Sequence, residues 1–135
     1  MNLLSTQHFS AVDIRAMDDQ HGILMDTLNE LRLVALRGHN REEVSQLLKQ
    51  LIDFTRMHFA SEEQLMEQFD YPGLVEHRAE HHRLLLQIQE SANKLLHSES
   101  MHMRPLLGFL NDCYQEHIDG ADKEYGPWLN TRGVF

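Results

Sequence analysis

The chain has 135 residues, with 12 Lys and Arg against 21 Asp and Glu and a formal charge of −9. That length closes one hydrophobic core without staples, and the negative field argues against nucleic acid or an anionic membrane surface as partner. With one cysteine, Cys113, no basic apolar leader in "MNLLSTQHFSAVDIR", and no apolar run near the ~20 residues that cross a bilayer, a single soluble domain over residues 1–135 in the cytoplasm is expected.

Residues 1–17 read as an irregular arm laid over the rest. A first helix is expected over 18–37, from Asp18 as N-cap through Leu24, Met25, Leu28, Leu31 and Val34 to Gly38, placed where a left-handed residue ends a helix. Asn40 and Glu43 resemble a capping box opening a second helix over 41–69. Its stripe is Leu47, Leu51, Phe54, His58, Glu62, Leu65 and Phe69, and "DYPG" stops it. The third, over 74–97, carries His77, His81, Leu84, Leu85, Ile88, Ala92 and Leu95 toward the polar "HSES". The fourth, over 101–119, tolerates Pro105 only in its first turn and runs by Leu106, Leu110, Cys113 and Tyr114 to His117. Gly120 is expected to end it, leaving 120–135 as a tail packed at one end. No segment reads as a strand. Short loops favour antiparallel neighbours, so the fold class is all-α, an up-down-up-down four-helix bundle.

The deviant count is histidine, 10 of 135. His77 and His81 in "EHRAEHH" are four apart and share a helix face, as do His58 and Glu62 in "HFASE". His117 and Asp122 are five apart, which a regular helix would splay by about 140°; Gly120 between them could relax the backbone. His21 joins from the first helix. The topology tests the set independently of spacing, because His21 and His77 lie near the starts of two helices and His58, Glu62 and His117 toward the ends of the others. All those ends are one end of the bundle. A single histidine is most often solvated or hydrogen-bonded, but five converging with two carboxylates indicate metal. Seven donors exceed one four-coordinate zinc site, so two ions are implied, and nitrogen and oxygen donors without thiolate suit iron or manganese, iron foremost.

These stretches, "DDQH", "HFASEE", "YPGLVEHRAEH" and "HIDGADKEYGPWL", resemble the hemerythrin family, its bacterial single-domain members in particular, over residues 9 to 129. The resemblance implies that His77, His81 and His117 bind one iron, that His21 and His58 bind the other, and that Glu62 and Asp122 bridge them with a solvent-derived oxide or hydroxide. One position would stay open, and dioxygen would bind there reversibly, for transport, storage or delivery, without enzymatic turnover. By helical phase Leu24, Met25, Leu28, Phe54 and Ile118 are expected around it. Two departures fall in the arm: it lacks a tryptophan often found there, and Asp13 stands where glycine is common.

Other features carry less. His82 should face a helix edge or solvent, and His8, His39, His97 and His102 fall in the arm or loops. His39 and Glu43 copy the spacing of His58 and Glu62 at the wrong end of the bundle. Cys113 reads as a small buried hydrophobe, and Met25, Met57 and Met66 as gap fillers. The alternative function is a sensor of oxygen, nitric oxide or redox state acting through a partner in trans, since no output element precedes Phe135. A carboxylate-bridged di-iron enzyme would need paired ExxH motifs, and only Glu99 with His102 matches. A metal-free bundle would bury too many unsatisfied imidazoles and carboxylates.

Overall fold

A computed structural model describes residues 11–38 and 40–135 of the chain. Four long helices, α1 (Arg15–Arg37), α2 (Arg41–Gln68), α3 (Leu74–Leu96) and α4 (Met103–His117), are followed by a π turn over Ile118–Asp122 and a short α5 (Lys123–Asn130). No strand occurs among the described residues. α1 packs on α2 and α4, and α3 packs on the same two, so the helices stand in a ring with short antiparallel connections. None is long and apolar enough to cross a membrane.

Local chemistry sets the boundaries. α1 begins before Asp18, because Asp18 is not its cap: the carboxylate accepts the Val12 N–H at 2.8 Å and ties the arm down, while Ile14 is the last extended residue. Gly38 ends the helix at φ 87°, a conformation that favours glycine. Asn40 accepts the Glu43 N–H at 2.8 Å as a cap should. The Glu43 carboxylate turns to Arg37 instead of closing the box. Pro105 falls in the first turn of α4, as its missing N–H requires.

Three further expectations change. The buried stripe of α2 is Val44, Leu48, Leu51, Thr55, His58, Phe59, Glu62 and Met66, one position round from Leu47, Phe54, Leu65 and Phe69, which are half-buried flanks. Gly120 does not end the fourth helix: the backbone widens into the π turn and coils on, so half of the expected tail is α5. Of the methionines, Met66 is fully buried and fills its gap, Met25 is half-buried, and Met57 is exposed.

The core has two parts. One cluster runs from Leu24, Leu28 and Leu31 of α1 through Leu48, Leu51, Ile88, Leu107 and Leu110 to Tyr114. Within this half Arg32 is buried, its Nη2 donating to Asn111 Oδ1 at 3.0 Å and its Nη1 to Asn29, and burial lowers its pKa. The other cluster, Val12, Ile14, Met17, Met66, Ile118, Tyr125 and Leu129, joins the arm to α5. Asp13 in this arm has φ 63°, which explains why glycine suits the position. A Cβ at Gly126 would come 2.5 Å from the Val12 carbonyl oxygen, so the arm and α5 approach as closely as they do only without a side chain there. Gly126→Ala should therefore cost about 1–3 kcal/mol by forcing the arm outward, lowering the melting midpoint by several degrees. A thermal melt equal to wild type would remove that packing argument.

Candidate metal centre

Between the two apolar clusters lies a layer of ionisable side chains. α1 supplies His21, α2 His58 and Glu62, α3 His77 and His81, α4 His117, and the π turn Asp122, and all seven are buried. The i→i+5 pattern of a π turn stacks residues five apart as an α-helix stacks residues four apart. It brings Asp122 Oδ1 to 3.0 Å from His117 Nε2, which removes the 140° splay that a regular helix would impose.

The carboxylates divide the imidazoles into two sets. Glu62 Oε1 lies 2.9 Å from His81 Nε2 and 3.5 Å from His77 Nε2, while Glu62 Oε2 lies 3.5 Å from His58 Nε2 and 3.7 Å from His21 Nε2. Asp122 Oδ1 lies 3.0 Å from both His77 Nε2 and His117 Nε2, and Asp122 Oδ2 lies 3.2 Å from His21 Nε2. Each carboxylate thus gives one oxygen to each set. Donor atoms of Glu62, His77, His81, His117 and Asp122 all lie within 4.8 Å of one another, as do those of His21, His58, Glu62 and Asp122.

Surrounding residues orient these donors. His58 Nδ1 is 2.6 Å from Gln20 Oε1, and His81 Nδ1 is 2.7 Å from Glu63 Oε2, whose other oxygen accepts Arg78 Nε–H at 2.9 Å. Both contacts turn Nε2 toward the centre. The Tyr125 hydroxyl donates to Glu62 Oε2 at 2.6 Å, and the Phe59 ring stacks on His81 with centroids 3.8 Å apart. Spacing did not reveal Gln20, Glu63, Phe59 or Tyr125. All four lie inside or beside the quoted stretches, but a partner's partner has no period of its own. Of the apolar residues expected here Leu24, Leu28 and Ile118 are buried, whereas Met25 and Phe54 are half-buried and Phe54 packs against the larger cluster.

The remaining candidates lie elsewhere. His82, His97 and His102 are exposed, and His8 and His39 fall outside the described residues. Cys113 is half-buried, its thiol pushed up to about 11 chiefly by that burial.

Without a cation the site balances its charge with protons. Burial alone would lower the pKa of His21 and of His117, but Asp122 and Glu62 outweigh it and carry them up to about 9 and about 10. Against the same burial penalty His77 also moves up, beside Asp122 and Glu62, while His58 falls to about 4, burial prevailing over Glu62. Burial opposes charge on Glu62 and Asp122 too, yet the imidazoles hold both below the usual carboxylate range. Desolvation first, then the Glu62 and Asp122 charges, push the Tyr125 hydroxyl upward, so it remains a donor.

Even so, hydrogen bonding does not satisfy the layer. Both nitrogens of His21, Nε2 of His77, Nδ1 of His117, Oε1 of Glu62 and both oxygens of Asp122 are buried with no hydrogen-bond partner. That many orphaned atoms would be expensive in a core, and cations bound at the inward Nε2 atoms and carboxylate oxygens among them would remove most of the expense. The residues fit a metal centre.

A loading experiment follows from the raised values. His21 and His117 are protonated at pH 7 in the metal-free chain, and each Nε2 must lose its proton to bind a cation. Metal binding at pH 7 should release at least those two protons, and affinity should fall as pH drops. In the metal-free chain the same groups, raised from about 6.5, stabilise the fold below that pH and lose this contribution as pH climbs through 9 to 10. Indicator dye in weak buffer reads the release; none would mean these nitrogens are not donors.

A helical bundle that holds five imidazoles and two carboxylates in one buried layer is, by fold and site, a cation-binding protein. Residues 12–129 match the Hemerythrin HHE cation binding domain, and the chain belongs to the hemerythrin family. It is 36% identical over 114 residues to a bacteriohemerythrin of Methylococcus capsulatus, covering 84% of this chain and 86% of that protein. To a bacteriohemerythrin of Stenotrophomonas maltophilia it is 30% identical over 131 residues, covering 97% and 84%. A crystal structure of wild-type hemerythrin superposes with a TM-score of 0.76 at 32% identity, covering 94% of this chain and 95% of that one.

Proposed function

We propose that this chain, one hemerythrin-like domain, binds dioxygen reversibly at a pair of iron ions in the cytoplasm, for transport, storage or delivery and not for catalysis. In this reading His77, His81 and His117 hold one iron, His21 and His58 the other, and Glu62 and Asp122 bridge them. The observation that carries it is the division of both carboxylates between a set of three imidazoles and a set of two. Five nitrogens with carboxylate oxygens and no thiolate favour iron over zinc, magnesium or calcium. The names of the relatives, bacteriohemerythrin and hemerythrin, support the same reading.

Bound, the iron pair would supply two electrons and, on the ion with fewer imidazoles, a coordination position for dioxygen. The protein's own residues do the rest. Gln20 and Glu63 fix the rings of His58 and His81. Tyr125 keeps its proton on Glu62 Oε2 and so holds that carboxylate in place. Leu24, Leu28 and Ile118 keep water from the layer, which protects a ligand that must leave unchanged.

Optical spectra of the anaerobically reduced protein, recorded before and after oxygen through repeated cycles, test the proposal. A charge-transfer band that appears with oxygen and vanishes on its removal, cycle after cycle, is expected. Irreversible oxidation on first exposure would instead mark an oxidase or a redox sensor.

A further inference from the structure

Two openings lie against imidazoles of the centre, and their charges differ. Beside His81 lies a groove walled by Arg56, Arg78, His82 and Glu63, and the Glu63 carboxylate is already hydrogen-bonded to His81 and Arg78. Beside His77 lies a cavity of about 360 Å³ lined by Tyr71, Gly73, Glu76, Glu80, Ala121 and Glu124, with His77 in its wall. Glu80 is paired with Arg83, whereas Glu76 and Glu124, both exposed, form no ion pair among the described residues. Tyr71 reports their convergence: burial first, then the charges of Glu124 and Glu76, push its hydroxyl pKa up.

Acidic side chains at a helix end would mean little alone. Here the imidazole of His77, only 4% exposed, lies between them and the centre, and its buried Nε2 has no hydrogen-bond partner and sits 3.0 Å from Asp122 Oδ1. One side chain therefore spans from the acidic cavity to the carboxylate layer. The π turn that delivers Asp122 also places Ala121, a small residue, in the cavity wall.

We infer that this cavity is the vestibule through which a divalent metal ion enters the centre, with Glu76 and Glu124 concentrating the cation at its mouth and His77 receiving it. The inference rests on the proposed metal centre, but concerns how fast the centre fills, not what it holds. A cleft lined by one sign of charge raises the encounter rate of the opposite ion, and salt erases the gain.

The test is anaerobic uptake of ferrous ion by the metal-free full-length chain, its helicity checked by circular dichroism. Glu76→Gln with Glu124→Gln should slow uptake about tenfold at ~10 mM salt and much less at ~1 M, with the final metal content unchanged. A control with the same loss of charge at the far end of the bundle, Glu30→Gln with Glu42→Gln, should load within about twofold of wild type. An unchanged rate in the first variant, or equal slowing in the control, overturns the vestibule and leaves the centre standing. A wild-type chain that takes up no iron overturns the centre, and the vestibule with it.

Discussion

Replacement of Glu62 by Ala should abolish binding of both metal ions, and Asp122→Ala should do the same. The reason is geometric: Glu62 Oε1 faces His77 and His81 while Oε2 faces His58 and His21, so one truncation takes a donor from each set. It also strands the Tyr125 hydroxyl, whose hydrogen bond to Glu62 is buried. With Glu62 gone, the five imidazoles keep one carboxylate beside them, so two buried cations lose half of the negative charge that offsets theirs in the layer. Elemental analysis after iron loading should fall from two ions per chain to none. The stability that bound metal lends, about 4 kcal/mol at a thousandfold excess over the dissociation constant, should vanish with it. His82→Ala is the control, since that ring is exposed, and its metal content should match wild type. Two irons retained in Glu62→Ala or Asp122→Ala would refute the bridging role.

That layer could be read from sequence because its members obey one periodicity and one rule of topology. His58 with Glu62 and His77 with His81 repeat at four, and antiparallel topology carries distant residues to one end of the bundle. What was hidden lies where period and chemistry part. His117 and Asp122 are out of phase on an α-helix, and only the π turn, which no apolar pattern announces, aligns them. Gly120, Gly126 and Pro127 look like breakers, yet the chain stays helical through all three, held by the packing of Tyr125 and Leu129 against the arm. In α2 two stripes one residue apart are equally periodic, and the structure selects the one that continues through Thr55, Phe59 and Met66. Arg32 shows the converse: a cation, a residue type seldom fully buried, lies in the core with Asn29 one turn away and Asn111 on another helix, which no spacing rule connects to it.

Leu24→Asn should hasten decay of the oxygenated protein to its ferric form on the order of tenfold, if water exclusion is what keeps the site reversible. Leu24 is one turn beyond His21 on α1 and 1% exposed, at the edge of the larger apolar cluster where it meets the carboxylate layer. An amide there brings a polar group, and with it water, to the two-imidazole side. Leu24→Ala separates the causes, because it opens a comparable space without a polar group, and an apolar cavity of that size stays dry. Both variants should lose about 2–5 kcal/mol of stability, since each deletes a packed side chain. Only the asparagine should shorten the life of the oxygenated state substantially, and Leu28→Asn, a turn farther from His21, should do so less. Equal decay in Leu24→Asn and Leu24→Ala would show that loosened packing, not admitted water, limits reversibility, and the apolar layer would then be core alone.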